Sequence, residues 1–376
     1  MISPIVTALL LFLLLYYLTF LWHVRGGLSR TVKPSAQYAP FVSIIVPARN
    51  EQETIGRCLE SLTNQAYDAD RFEIIVVDDH STDRTVQAVE TRNQSSGQPE
   101  VVLCRLSEHG SPRFGKPAAI SSGIEQSKGE IILCTDADCT AGPGLVNSMV
   151  RCFQPDVVFV AGPVREQPSQ SFLSEVQRLE FMGLIITAAG LIGSGRPIIC
   201  NGANIAYRRQ AFERVSGFGS TATSCDDETL MQRMVERRIG KVVFNSDSEA
   251  LVHTRTPSTV LDFLNQRTRW AAKRGHYEDK SILVRLLCLF AFFLTLFGAG
   301  IGALMDSSFT FPFLVVLLVK MVAEFVVLRA GGTLFNYQIS PGHFLIAELF
   351  HVPYITLAGL IGQFSSLRWK DRRLVR

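Results

Sequence analysis

Residues 130–138 read EIILCTDAD. The run at 131–134 is too apolar for a surface loop, yet it ends in two carboxylates two positions apart, Asp136 and Asp138. Working outward, four more runs share that character: VSIIVPA (42–48), FEIIVVDD (72–79), VVLCRL (101–106) and VVFVAGP (157–163). Each is nearly continuous in apolar residues, as parallel strands covered on both faces must be. Helical patterning lies between them at 52–64, 82–93, 116–127 and 142–153. This alternation predicts an α/β domain over 41–255 with a mainly parallel, Rossmann-like sheet. Such sheets bind ligands beyond the carboxyl ends of their strands. The acids fall there: Asp78 and Asp79 end the second run, Asp136 and Asp138 the fourth.

Hydrophobic residues make up 47% of the 376, and the excess is concentrated at the two ends of the chain. Residues 5–24 carry no Asp, Glu, Lys or Arg, a length that crosses a hydrocarbon core. With no basic leader and no small-residue cleavage site, 1–24 reads as an uncleaved membrane anchor. Arg25, Arg30 and Lys33 open the linker at 25–40, and the positive-inside rule puts the adjoining segment in the cytoplasm. After Pro257 the segment 256–276 reads as an amphipathic interfacial helix whose basic face takes in Arg267, Lys273 and Arg274.

Apolar stretches at 282–304, 309–329 and 343–364 then supply two or three membrane spans, before a basic tail at 365–376. Three full spans would place that tail opposite the catalytic domain, against the charge rule, so one segment is expected not to cross fully. Lys320, Glu324, Glu348 and His351 lie inside the apolar stretches, where charge is costly. Lys320 and Glu324, four apart, share a helix face and can neutralise each other. A net charge of +3 with no basic block interleaved with aromatics excludes a nucleic-acid partner. The eight cysteines show no CxxC pair and read as reduced and cytosol-facing, mostly small core residues.

Two carboxylates at a buried strand end can converge on a hard divalent cation. The cation would hold the two phosphates of a nucleoside diphosphate and stabilise its leaving charge. In Asp78-Asp79-His80-Ser81-Thr82-Asp83, a helix start with Ser81 or Thr82 as cap accounts for the last three residues. It leaves Asp78 and Asp79 needing partners, which a nucleoside base or ribose offers. Asp226-Asp227-Glu228 opens a helix, where acids suit the dipole. Three adjacent acids also repel, which suits one of them to act as a general base. In Gln266-Arg267-Thr268-Arg269-Trp270, residues 266, 269 and 270 share one helix face. There Arg269 can grip a diphosphate and Trp270 offers a flat surface.

These clusters, in this order, resemble the family-2 glycosyltransferases of GT-A fold. VSIIVPARNEQETIGRCLESL and VDDHSTDRT resemble that family's first strand–helix unit and nucleoside-binding carboxylates. FGKPAAISSGIEQSKGEIILCTDADC is similar to the stretch from its nucleotide-contacting lysine to its metal-binding DxD. NGANIAYRRQAFERVSGF resembles the acceptor-side strand and helix, and SCDDETL the ED motif that supplies the base. QRTRW matches the Q-x-x-R-W motif of membrane-bound members, such as cellulose and hyaluronan synthases and ceramide glucosyltransferase-like enzymes.

The resemblance covers 41–275. It implies inverting transfer from a nucleotide sugar, most often a uridine diphosphate sugar, with Mg2+ or Mn2+. It also implies roles. Pro47, Glu51, Asp78, Asp79, Lys116 and Asp136 contact the nucleotide, Asp138 with Asp136 binds the metal, and Asp227 is the base. Gln266, Arg269 and Trp270 close over the diphosphate and acceptor end. Two departures stand out: His80 replaces the usual small residue, which left-handed backbone tolerates, and Asp226 replaces Glu. His253, after VVFNSDSEAL, is an optional metal ligand, although a lone His is more often structural.

The expected acceptor is a lipid or lipid-linked molecule, at the cytoplasmic face of a bacterial inner membrane. A processive polysaccharide synthase is the alternative, since it shares QRTRW, but its exported polymer needs a polar channel that three or four spans are too few to line. An inactive nucleotide-sugar-binding membrane protein is the third reading. The retention of every acid the chemistry needs opposes it.

Overall fold

The computed structural model describes residues 2–94, 99–109, 114–168, 171–219, 226–271, 279–364, 368–369 and 372–373. In chain order the first elements are α1 (Ile2–Leu28), β1 (Val42–Ala48), α2 (Ile55–Thr63), β2 (Phe72–Asp78), α3 (Thr85–Gln94) and β3 (Glu100–Arg105). Then come α4 (Lys116–Gln126), β4 (Ile131–Cys134), β5 (Thr140–Ala141), α5 (Leu145–Val150), β6 (Val157–Ala161) and β7 (Val164–Glu166). The central stretch holds α6 (Phe172–Gly193), β8 (Ile205–Arg208), α7 (Arg209–Arg214), α8 (Asp226–Glu236), β9 (Lys241–Phe244) and β10 (Val252–Thr254). The last helices are α9 (Val260–Ala271), α10 (Lys280–Met305), α11 (Thr310–Leu334) and α12 (Pro341–Phe364). The hairpin of β11 (Arg368–Trp369) and β12 (Arg372–Arg373) comes last.

The chain divides into two units. A helical unit gathers Met1–Arg30, Pro168–Ser194 and Pro257–Leu367; a sheet unit gathers Thr31–Gln167, Gly195–Thr256 and Arg368–Arg376. The stretch expected as one domain over 41–255 therefore lends Pro168–Ser194 to the helical unit. Glu175, Arg178 and Glu180 interrupt its apolar pattern in the first turns, which hides a 22-residue helix from a hydropathy reading.

The sheet unit is built on seven strands in the order β3-β2-β1-β4-β8-β6-β9. β1 pairs in parallel with β2 and with β4, so the strand order reverses beside β1 and opens a crevice at the carboxyl ends. β8 runs antiparallel to both β4 and β6, which makes the sheet mixed. The near-continuous apolar runs are buried through β1, β2, β4 and β6, as two covered faces require. The helix after β2 begins later than Ser81 or Thr82. Asp83 Oδ1 accepts from the Thr85 amide at 3.0 Å, while Thr82 donates its amide to Asn50 Oδ1 at 2.8 Å. Although burial opposes it, these Thr85 bonds hold the Asp83 carboxyl below its usual range.

Among the described residues, five helices are long and apolar enough to cross a membrane: α1, α6, α10, α11 with the short turn before it, and α12. Backbones of α1 and α6 meet at glycines. A Cβ on Gly27 would lie 1.8 Å from the Gly190 carbonyl oxygen, so only a small residue fits. Deep in this unit, Lys320 of α11 is fully buried and lies 2.8 Å from Glu324 Oε1 and 2.7 Å from Glu348 Oε2 of α12. His351 Nδ1 lies 3.0 Å from the ammonium, and the Tyr17 hydroxyl of α1 donates to Glu324 at 2.6 Å. The Lys320 ammonium meets both carboxylates at hydrogen-bond distance, so these charges are paired inside the apolar helices and not left isolated.

Candidate active site

The crevice residues come from loops at the carboxyl ends of the strands. Asp78 stands opposite Ala48, one residue after Pro47, which aligns with Val77. Asp78 is buried, and both its carboxylate oxygens accept from the Ser81 amide at 3.3 Å. That turn needs His80 in the left-handed region, at φ 57°. Asp79, also buried, accepts from the Gly115 amide at 3.0 Å and lies 3.1 Å from His80 Nδ1. Its carboxylate thus ties the end of β2 to the start of α4, a protein partner where a nucleoside was expected. Glu51 follows β1; its Oε2 accepts from the Thr54 hydroxyl at 2.7 Å.

Gly115 leads directly into Lys116, whose Nζ lies 2.5 Å from Asp136 Oδ1. Along 135–139 burial alternates: Thr135, Ala137 and Cys139 point into the protein while Asp136 and Asp138 reach toward solvent. The Cys139 amide donates to the Asp136 carbonyl at 3.0 Å, a tight turn that leaves both carboxylates half exposed just past β4. Two half-exposed carboxylates make an oxygen donor set suited to Mg2+ or Mn2+. Two neutral thiols support them from behind. Cys139 Sγ donates to Asp138 Oδ1 at 3.5 Å, and Cys58 Sγ donates to the Asp136 carbonyl at 3.7 Å. Burial, reinforced by the Asp138 and Asp136 charges, pushes both thiols well above their usual range, so they stay protonated donors.

Asp227 lies in the first turn of α8, and its Oδ1 accepts from the Glu228 amide at 2.9 Å. Its other oxygen faces Gly202, where a Cβ would come within 2.7 Å of Asp227 Oδ2 and 3.1 Å of Lys116 Nζ. Gly202 is thus the contact point that joins Asp227, Lys116 and, through Lys116, Asp136. Residues 116, 136 and 227 lie at the start of α4, just past β4 and at the start of α8, and the fold brings them to one place. The Asp226 side chain lies outside the described residues. His253 sits in β10 opposite Thr140, two residues past Asp138. Gly202, Cys58 and Cys139 escape a sequence reading. The one signal for Gly202 is its place between two asparagines and ahead of β8.

Gln266, Arg269 and Trp270 lie on α9 of the helical unit. The exposed Val260, Leu261 and Leu264 give α9 an outward apolar stripe, as an interfacial helix needs. Arg267 does not join a basic outer face. It is 3% exposed, and its Nε donates to Glu180 Oε2 at 3.0 Å. The reason is helical spacing: Phe263, Arg267 and Trp270 share the side facing α6 and α12, where Glu180 supplies the counter-charge. Lys273 and Arg274 lie outside the described residues.

Residues 43–216 match the family model Glycosyl transferase family 2, and residues 131–355, more than half of the chain, match Glycosyl transferase family group 2. The chain is 29% identical over 282 residues to Probable glycosyltransferase YdaM of Bacillus subtilis, covering 72% of this chain and 65% of that protein. It is 28% identical over 293 residues to Beta-monoglucosyldiacylglycerol synthase of Synechocystis, covering 71% and 58%. Each match takes in less than two thirds of the relative's own length. Among solved structures, the mannosyltransferase PcManGT from Pyrobaculum calidifontis, in complex with GDP-Man and Mn2+, aligns with a TM-score of 0.63. That alignment covers 97% of this chain and 99% of the other at 21% identity, a likeness of fold.

Proposed function

Since this chain belongs to the family-2 glycosyltransferases, we propose that it moves a sugar, with inversion, from a uridine diphosphate sugar to a lipid or lipid-linked acceptor. The setting we infer is the cytoplasmic face of a bacterial inner membrane. The observation that carries this reading is the meeting of Lys116, Asp136 and Asp227 around Gly202, beside Asp138, at the carboxyl ends of the strands. Apolar helices and a relative named for a diacylglycerol product support a lipid acceptor. The basic residues after α1 support the cytoplasmic side.

Asp138 and Asp136 would hold Mg2+ or Mn2+, which supplies positive charge to the departing diphosphate. Lys116 reaches the same phosphates. The two acids ending β2, Asp78 and Asp79, are assigned to the nucleoside, and Asp79 also holds the Gly115 amide at the start of α4. Pro47 and Glu51 flank that nucleoside site. Asp227 takes the proton from the acceptor hydroxyl as its oxygen bonds to the anomeric carbon. The bond from that carbon to the diphosphate breaks, and its electron pair leaves with the nucleotide. Gln266, Arg269 and Trp270 are assigned to the diphosphate and acceptor end.

The test is a panel of uridine and guanosine diphosphate sugars offered to the protein in lipid nanodiscs with native lipid extract, with Mn2+ or chelator. Metal-dependent nucleotide release with label in one discrete lipid is expected. Label in a high-mass polymer would replace this reading with a processive synthase. Asp138→Ala should abolish metal-dependent donor affinity, and undiminished affinity would overturn the metal assignment.

A further inference from the structure

Arg267 has no part in the three-residue motif it sits within, yet it is the most buried residue of the 266–270 stretch. A buried guanidinium is costly unless paired and hydrogen-bonded. Here it is bound on every side. Glu180 of α6 accepts from both Nε and Nη2, and the Tyr354 hydroxyl of α12 donates to the other Glu180 oxygen at 3.1 Å. Arg267 Nη1 donates to Gln266 Oε1 at 2.5 Å. Its guanidinium carbon lies 4.3 Å from the Trp270 ring centroid and 4.7 Å from that of Phe263. Phe181 of α6 stands 6.2 Å from Trp270, ring to ring.

Two of the three motif side chains, Gln266 and Trp270, thus have their positions set by one cation. That cation is itself set by a carboxylate on α6, and the carboxylate by a hydroxyl on α12. We propose that Arg267 is the positioning residue of this motif: the Glu180–Arg267–Tyr354 network fixes the rotamers that Gln266 and Trp270 present. The inference rests on the role given to Gln266, Arg269 and Trp270 above. Arginine suits the task because its planar fork can meet a carboxylate and stack on rings together, which a lysine ammonium cannot. Arg267 touches no reacting atom in this scheme. Its effect on transfer passes through the two side chains it holds.

The chain has three tryptophans, so a Trp22→Phe/Trp369→Phe background leaves Trp270 as sole emitter. In that background in nanodiscs, Arg267→Met and Glu180→Gln should each shift the Trp270 emission, with Arg267→Lys recovering only part. Glu180→Gln keeps the shape of the site should Arg267→Met fail to fold. Transfer should fall roughly tenfold in Arg267→Met, as for a misplaced binding group. That loss should shrink to less than about twofold when Gln266→Ala and Trp270→Ala are both already present, since residues acting through one another are not additive. Unshifted emission, or an Arg267→Met loss that stays in full when both held side chains are already removed, would overturn the proposal. If Trp270→Ala and Gln266→Ala alone leave transfer intact, the motif's assigned role fails instead, while the emission shift still decides whether Arg267 holds Trp270.

Discussion

Asp78 and Asp79, buried in the sheet unit, find backbone amides, whereas Glu324 and Glu348, buried in the helical unit, find a counter-charge. Asp78 and Asp79 are held by the amides of Ser81 and Gly115, in loops whose N–H groups no ladder uses. Glu324 and Glu348 sit in helices whose interior amides are committed to their own turns, so Lys320, His351 and Tyr17 must answer for them. Glu180 follows the same rule through Arg267 and Tyr354. Loop amides can hold an acid and still leave neighbouring carboxylates half exposed for chemistry. A closed side-chain network leaves nothing spare, and it serves position.

That contrast can be broken most directly at Asp227. Asp227→Asn should keep the fold and donor affinity but lower transfer by ~10²–10⁴-fold, as removal of a general base does. Parallel thermal unfolding and transfer assays would check it, and lost donor binding would put Asp227 in a different role. The helical unit should behave in the opposite way. Lys320→Met strands two buried carboxylates and should cost about 3–5 kcal/mol of stability. Replacing Glu324 and Glu348 by Gln in the same chain should restore most of it. An unchanged unfolding temperature for Lys320→Met would show that these charges are not paired as described.

The smallest effect sharpens the sheet side. Asp79→Asn weakens the bond from the Gly115 amide and should cost about 1–3 kcal/mol. Donor affinity should fall with it, because Gly115 immediately precedes Lys116. Unaltered affinity would show that Lys116 is placed without this tie.

The parallel core is legible in the sequence because β1, β2, β4 and β6 are buried on both faces and so read as apolar runs. Asp136 and Asp138 are legible because a polar pair contrasts with such a strand. The lysine–glutamate pair of α11 is legible from its four-residue spacing. Other features have no local signature. β5 and β10 are two and three residues long, too short for periodicity to register, yet they bring His253 opposite Thr140. The tie between Asp79 and Gly115 spans 36 positions. Arg267 misleads because a basic residue on an amphipathic helix looks solvent-facing until its acid, 87 positions earlier, is known.

The chain enters α6 just after β7 and returns to lay down β8, and β8 pairs with β6 in the same sheet. A single passage of α6 through a bilayer would put those paired strands in different compartments. The residues from 195 to 204 cannot thread back, since irregular backbone in lipid would leave its amides unmet. Length and apolarity therefore mislead for this one helix, whose window is 61% buried by protein against 22–28% for the other four. A cysteine placed at Ser194, the far end of α6, should stay silent to a reagent confined to the side of the membrane opposite the sheet unit. Among the described residues, the candidates to cross are then α1, α10, α11 and α12.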